Sequence, residues 1–283
     1  MTRWSFLIFH WRGIPVRIHA MLVALLLVVA TFFVERAGLS GLVFGLSLLL
    51  PALLCLFLHE IAHAAVARSR SVAVHAVVLG PLVNFTLLES EPQGPDDEGF
   101  IAAAGPAMNG LLFATLLGIE EVVRSVHPGS ADLLQWLSTL KLVNFWMALG
   151  NLVPILPADG GRIVRAFLGR RHPYLVATRL AAKVGVAFLL VAVPVLALLT
   201  PLRSQPPALL LMMLMVVHLL ASNRRAIQQA LVRELKIQSQ SRPVAESQSS
   251  TGAPRRAYRP LSPAQFERWR PLCESAARQA GQA

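Results

Sequence analysis

His59-Glu60-Ile61-Ala62-His63 puts two imidazoles and a carboxylate within five positions of an otherwise apolar run. On a helix, residues at i and i+4 share a face, so His59 and His63 can grip one Zn²⁺ together. Glu60 then lies beside the metal, where its carboxylate can take a proton from water. Buried histidines often serve only packing. Yet three ionisable groups so close together in a membrane helix are costly unless they have a function.

Two histidines leave that site short of a ligand, because catalytic zinc generally takes three protein ligands. The candidate is Asp159, in Asn151-Leu152-Val153-Pro154-Ile155-Leu156-Pro157-Ala158-Asp159-Gly160-Gly161. Pro154 and Pro157 remove backbone donors and break a helix, and Gly160-Gly161 permits a sharp turn. Such an interruption at membrane depth lines a cavity. Asp159 as the cap of a following short helix is the alternative, and spacing alone leaves both open.

The elements that must position these residues follow from composition. Of 283 residues, 55% are hydrophobic and 14% charged, against about 25% charged in an ordinary soluble domain. The charge gathers in short clusters and in the C-terminal tail, leaving apolar blocks of membrane-spanning length. The expected fold is mainly α: a polytopic membrane protein with about six transmembrane helices and a small membrane-associated β-hairpin. The spans fall near 20–35, 39–66, 100–119, 134–157, 174–199 and 207–222. An N-terminal interfacial segment, 1–19, precedes this 20–222 core, with a candidate strand at Ile14–Ile18. A tail, 223–283, follows it.

A net charge of +11 does not point to nucleic acid, because the basic residues flank apolar blocks instead of forming a stripe. With both termini in the cytoplasm, Arg3, Arg12, Arg17, Arg68, Arg70, Arg162, Arg165, Arg170, Arg171, Arg224 and Arg225 fall inside. The outer loops keep Arg36, Arg124 and Arg203. That asymmetry orients six spans in a bacterial cytoplasmic membrane and brings HExxH and Asp159 to the same side. The first apolar block follows a mixed segment holding Trp4, Trp11 and Pro15, so no cleavable leader is expected. Cys55 and Cys273 imply no disulfide. Lys141, near the outer end of the fourth span, reads as a snorkelling side chain. His10, His19, His75 and His218 read as interfacial or packing residues.

Residues 72–88 differ in kind. A β-branched run, Val72 to Val78, meets a Gly80-Pro81 turn and a second apolar run, Leu82 to Leu88. This predicts a hairpin at the membrane interface. Residues 238–260 read as a flexible linker. Ser262-Pro263-Ala264-Gln265 then carries a helix-start pattern, with Phe266, Trp269 and Leu272 expected on one face and Pro271 limiting the length.

The chain resembles the site-2 protease family of intramembrane metalloproteases. The resemblance rests on His59-Glu60-x-x-His63, on Asn151-x-x-Pro154-x-x-Pro157-x-Asp159-Gly160 and on Ala104-Gly105-Pro106-x-x-Asn109, and it covers about residues 14–222. It implies His59, His63 and Asp159 as zinc ligands, Glu60 as general base, and Asn151 holding substrate or oxyanion. Asn109 is implied as a structural or site-adjacent residue that borders the substrate. The hairpin sits where that family carries a β element, and Val77, Val78 and Gly80 are its candidate substrate-holding positions. The implied substrate is a single-span membrane protein of the anti-sigma factor or membrane-tethered transcription factor kind, cut in regulated intramembrane proteolysis.

The 120–133 loop is too short for the PDZ modules some members insert, and the tail too short for the nucleotide-sensing modules others append. A regulatory partner or a homo-oligomer formed through the tail would fit such a minimal core. A metal transporter and a non-proteolytic scaffold are the rival functions. The polar residues cluster at one end of the bilayer without a relay across it, which disfavours transport.

Overall fold

The computed structural model describes residues 4–80, 85–88, 92, 94–199, 206–240 and 257–281. They fall into two units, one drawn from 1–92 and 100–151, the other from 93–99 and 152–283. The Pro81–Asn84 part of the expected hairpin turn and most of the expected linker, 241–256, lie outside the described residues.

The first unit begins with strands β1 (Ser5–Trp11) and β2 (Ile14–His19), paired antiparallel. Their two-residue turn puts Arg12 at φ 48° and Gly13 at φ 85°, the left-handed pair that suits a tight hairpin. Helix α1 (Ala20–Ser69) follows, with His19 accepting a hydrogen bond from the Met21 N–H at its start. His19 is therefore a helix cap. The two spans expected at 20–35 and 39–66 form one 50-residue element with non-helical backbone at Ala37 and Gly38. Gly38 adopts φ 58°, which a side chain would resist. Beyond this break Gly41 and Gly45 pack on Phe33, where a Cβ would stand 2.1 Å from the Phe33 carbonyl oxygen or 2.7 Å from its ring.

Strands β3 (Val74–Leu79) and β4 (Phe85–Leu88) complete a sheet of order β1-β2-β3-β4. β3 runs antiparallel to β4 and parallel to β2, with Val16 opposite Val77 and Arg17 opposite Val78. One face of the sheet lies on the end of α1: Ile14, Val16, Val77 and Leu79 form a core with Ile61 and Ala64. This corrects the expectation for Val77 and Val78. They occupy an inner strand paired on both sides and are 0% and 5% exposed, so neither can receive an added strand. Gly80 is buried just past the end of that strand. The outer strands are β1 and β4.

Helix α2 runs from Pro95 to Val126, its first turn clustering with the second unit. Helix α3 (Ala131–Asn151) ends six residues before the expected span does, because the Pro154 and Pro157 segment is in turns. Lys141 does not snorkel alone. Its ammonium meets the buried Glu120 carboxylate, which also accepts from Ser138 (3.0 Å) and Arg124 (2.7 Å).

The second unit holds α4 (Asp159–Gly169), α5 (Tyr174–Leu199), α6 (Pro206–Gln240) and α7 (Pro263–Gly281). Gly160 and Gly161 belong to α4 and do not form a sharp turn. A Cβ on either would strike the Leu152 or Ile155 backbone at 2.1 and 2.4 Å, so their bareness lets the turn segment fold onto the helix. At the start of α7 the Gln265 N–H donates to Ser262 Oγ and the Ser262 N–H to Gln265 Oε1, a reciprocal cap. The helix continues through Pro271. Its buried face is Phe266, Cys273 and Ala276 with Trp269 beside them, packed on Leu175, Ala230 and Leu231. Leu272 stands 50% exposed. Burial raises the Cys273 thiol pKa.

Before α7, Tyr258 donates to the Glu98 carboxylate, which also receives Arg165 Nε at 3.0 Å and has Arg162 Nε at 3.9 Å. Burial, reinforced by that carboxylate, pushes the Tyr258 phenol up, so it stays a donor. Glu98 is 2% exposed. Removing it strands Arg165 without its counter-charge. Glu98→Ala is expected to cost about 3–5 kcal/mol and Tyr258→Phe about 1–3 kcal/mol, read as lowered unfolding midpoints in detergent.

Among the described residues, α1, α2 and α5 are long and apolar enough to cross a membrane. They expose Leu27, Phe32, Leu111, Leu190 and Val191, as lipid-facing surfaces do. This is a membrane protein.

Candidate metal centre

Within the first unit, the end of α1 turns Ile61 and Ala64 toward the sheet. Helical periodicity then carries His59, Glu60 and His63 elsewhere, and all three are buried, at 2%, 3% and 4% exposure. Their ligand atoms lie within 4.8 Å of one another, the grouping of three potential metal ligands found among the described residues. The His59 and His63 rings cross edge to face with centroids 4.8 Å apart. Their Nε2 atoms are 3.1 Å apart, and a Glu60 carboxylate oxygen is 4.0 Å from His59 Nε2.

The protonation of these rings can be worked out from their other nitrogens. The Ile101 carbonyl can only accept, so His63 Nδ1, 2.6 Å away, must carry the proton and donate. For His59 a chain of amides decides. Asn144 Nδ2 donates to the Leu140 carbonyl at 3.0 Å and faces Cys55 Sγ at 3.2 Å, leaving its Oδ1 to accept. Asn109 Nδ2 donates to that Oδ1 at 2.9 Å, so Asn109 presents its own Oδ1 to His59 Nδ1, which donates. Both imidazoles therefore turn Nε2 toward each other, and in the neutral rings that is the nitrogen able to coordinate. Two Nε2 atoms turned to each other can share a cation, and holding the far nitrogen by a hydrogen bond is how proteins orient metal-ligating histidines.

Gly105 of α2 leaves room for that cation. A Cβ on Gly105 would stand 2.3 Å from His63 Nε2 and 2.5 Å from His59 Nε2. The volume a methyl would fill is thus close to metal–nitrogen distance, about 2.0–2.1 Å for zinc. Two neutral imidazoles with a carboxylate alongside suit a borderline-soft divalent ion, so the residues fit zinc.

The remaining expected residues lie as follows. Asn151 ends α3 in the first unit, and its Nδ2 donates back to the Met147 carbonyl at 2.9 Å. Asp159 lies in the second unit, 7% exposed, with Arg162 Nη1 3.5 Å from its carboxylate. The capping alternative does not describe it. Ala158 is the N-cap of α4 and Asp159 the first helical residue. Asn109 is fully buried behind His59, which makes it a positioning residue of the imidazole. Asn144 and Gly105 carry roles that sequence spacing did not assign to them. For Asn144 the signal was an amide in the middle of an apolar stretch of helix.

Residues 113–192 match the model of peptidase family M50. The chain is 28% identical over 188 residues to a zinc metalloprotease of Methanocaldococcus jannaschii, covering 66% of this chain and 52% of that one. It is 40% identical over 130 residues to a Mycobacterium tuberculosis protein named as the zinc metalloprotease Rip3, covering 45% of this chain and 32% of that one. The chain thus spans about half or less of the length of these relatives. A solved structure, a site-2 protease from Methanocaldococcus jannaschii, superposes with a TM-score of 0.51 at 24% identity, covering 88% of this chain and 100% of that one, and so shares its fold. Residues 113–192 thus match peptidase family M50 over a stretch of the chain, and the chain as a whole shares the fold of that solved structure.

Proposed function

We propose that this protein is an intramembrane zinc endopeptidase that hydrolyses peptide bonds within or beside the transmembrane helix of a membrane-tethered regulator. The observation that carries this reading is the pair of buried imidazoles, each held at Nδ1, whose Nε2 atoms converge beside Glu60. His59 and His63 would hold the metal, with Asp159 as third ligand from the break after α3. When bound, zinc supplies Lewis acidity, acidifying water toward a pKa of about 7 and polarising the scissile carbonyl.

The chain's own groups do the rest. Glu60 accepts the proton from the attacking water at its carboxylate and returns it to the leaving amine. Asn109 keeps His59 Nδ1 protonated, so Nε2 stays available throughout. Asn151 is assigned to the substrate carbonyl, as an amide donor to the developing oxyanion. A transmembrane substrate hides its carbonyls in helical hydrogen bonds, so a segment must unwind before attack. β4, an outer strand of the sheet, replaces the inner positions Val77 and Val78 as the candidate edge for holding it by strand addition. Six spans with both termini cytoplasmic, in a bacterial inner membrane, remain the reading of the charge asymmetry.

Purified full chain incubated with a panel of single-span anti-sigma factors tests the proposal. Cleavage is expected, abolished by a chelator and restored by zinc. Cleavage that persists after the metal is stripped would overturn it. Asn109→Ala should weaken zinc binding ten- to a hundredfold, measured by competition with a metal indicator, while the protein stays folded.

A further inference from the structure

Helices α5 and α6 leave between them an open groove of about 880 Å³ whose two ends differ in chemistry. At one end stand Arg179 and Lys183, one turn apart on α5, and Arg224 on α6. Farther along, the walls are Val186 and Leu190 on α5 and Val217 on α6. Leu190 lies seven residues beyond Lys183, and Val217 seven before Arg224. Each wall therefore runs roughly 10 Å from charge to apolar surface, at 1.5 Å per residue.

Three features favour a ligand with a phosphate and a chain. Among the described residues no carboxylate pairs with Arg179, Lys183 or Arg224. Arg179 is instead stacked on Trp269, its guanidinium carbon 4.1 Å from the ring centroid, which holds that charge in place. Asn223 lines the groove, is 4% exposed, and donates from Nδ2 to the Ala182 carbonyl at 3.0 Å. Its Oδ1 has no hydrogen-bond partner among the described residues, a costly state for a buried carbonyl unless an occupant brings a donor. α5 is also one of the helices apolar enough to span the membrane, so the groove's apolar half opens where acyl chains lie. A free phosphate would leave that half empty, and a zwitterionic lipid would bring its own cation to the basic end.

We propose that the groove is a binding site for one anionic glycerophospholipid. Its phosphate sits among Arg179, Lys183 and Arg224, a headgroup hydroxyl donates to Asn223 Oδ1, and one acyl chain follows Val186, Leu190 and Val217. Basic pockets between helices at the cytoplasmic face are where such headgroups bind. This site does not depend on the peptidase reading.

Delipidated full chain in neutral detergent, titrated with lipids and read by native mass spectrometry, tests it. One phosphatidylglycerol per chain is expected, retained at least tenfold over phosphatidylcholine. Phosphatidic acid, with no headgroup hydroxyl, is expected to bind more weakly than phosphatidylglycerol, and glycerol phosphate not measurably. The Lys183→Ala/Arg224→Ala double variant should bind roughly thirtyfold more weakly, two charges each worth about a fivefold step. Leu190→Trp keeps every charge but fills the apolar half, and should lose the bound lipid while its melting temperature and zinc content match the wild type. Equal retention of phosphatidylcholine, selectivity surviving Leu190→Trp, or glycerol phosphate competing as well as the whole lipid would each overturn the proposal.

Discussion

Glu60→Gln is expected to keep its zinc and lose turnover by a factor on the order of 10³, the middle of what general acid–base catalysis contributes. The substitution is isosteric and the position is buried, at 3% exposure, so packing in α1 is preserved. What is lost is the ability to accept a proton. The metal stays because the donor set at the two histidines is fixed from behind, by Ile101 and Asn109, and not by Glu60. Zinc measured by plasma mass spectrometry should match the wild type within error, while substrate cleavage falls to background. Wild-type cleavage by this variant would remove Glu60 from the role of base.

The second large effect falls on a residue with no side chain. Gly105→Ala should empty the zinc site, because the new methyl would lie 2.3 and 2.5 Å from the two Nε2 atoms, in the space between the lone pairs. An alanine is otherwise favourable in a helix, by roughly 0.5–1 kcal/mol over glycine, so folding alone gives no reason for loss. Gly110→Ala on the same helix provides the contrast: nothing lies within 4 Å of its would-be Cβ. That variant should retain zinc and activity and melt at or slightly above the wild type. The expected pair is thus near-complete loss of zinc for Gly105→Ala and none for Gly110→Ala. Normal zinc stoichiometry in Gly105→Ala would show that the metal does not sit between His59 and His63 on the side facing α2.

The residues legible in the sequence are those whose relation is local. His59, Glu60 and His63 could be read because five consecutive positions on one helix fix their geometry with no help from the rest of the chain. The hairpin strands, the break near Gly38 and the Ser262/Gln265 cap are short-range too. What escaped detection needs partners distant in sequence. No spacing rule pairs Asn144 with Asn109, or sets the Gly105 backbone against two imidazoles carried by another helix. Val77 and Val78 were offered as substrate-holding positions because β-branched residues near a turn suggest a free edge. Only the parallel pairing with β2, from the far side of a 50-residue helix, makes β3 an inner strand. Leu272 was set on the buried face of α7, whereas the face turns through Trp269 to Cys273, one helical turn on, because α5 and α6 dictate which side is covered.

The amide chain from Leu140 through Asn144 and Asn109 to His59 also bears on when the protein becomes competent. α1, bearing HExxH, is synthesised well before α3. Until α3 packs, nothing dictates which nitrogen of His59 is protonated, and its Nε2 is as free to donate as to coordinate. Competence is thereby deferred to a late step of assembly. A nascent or truncated chain lacking α3 would hold the complete motif without a defined metal ligand, so on the proposed function an unfinished copy in the membrane would be spared from acting as a protease.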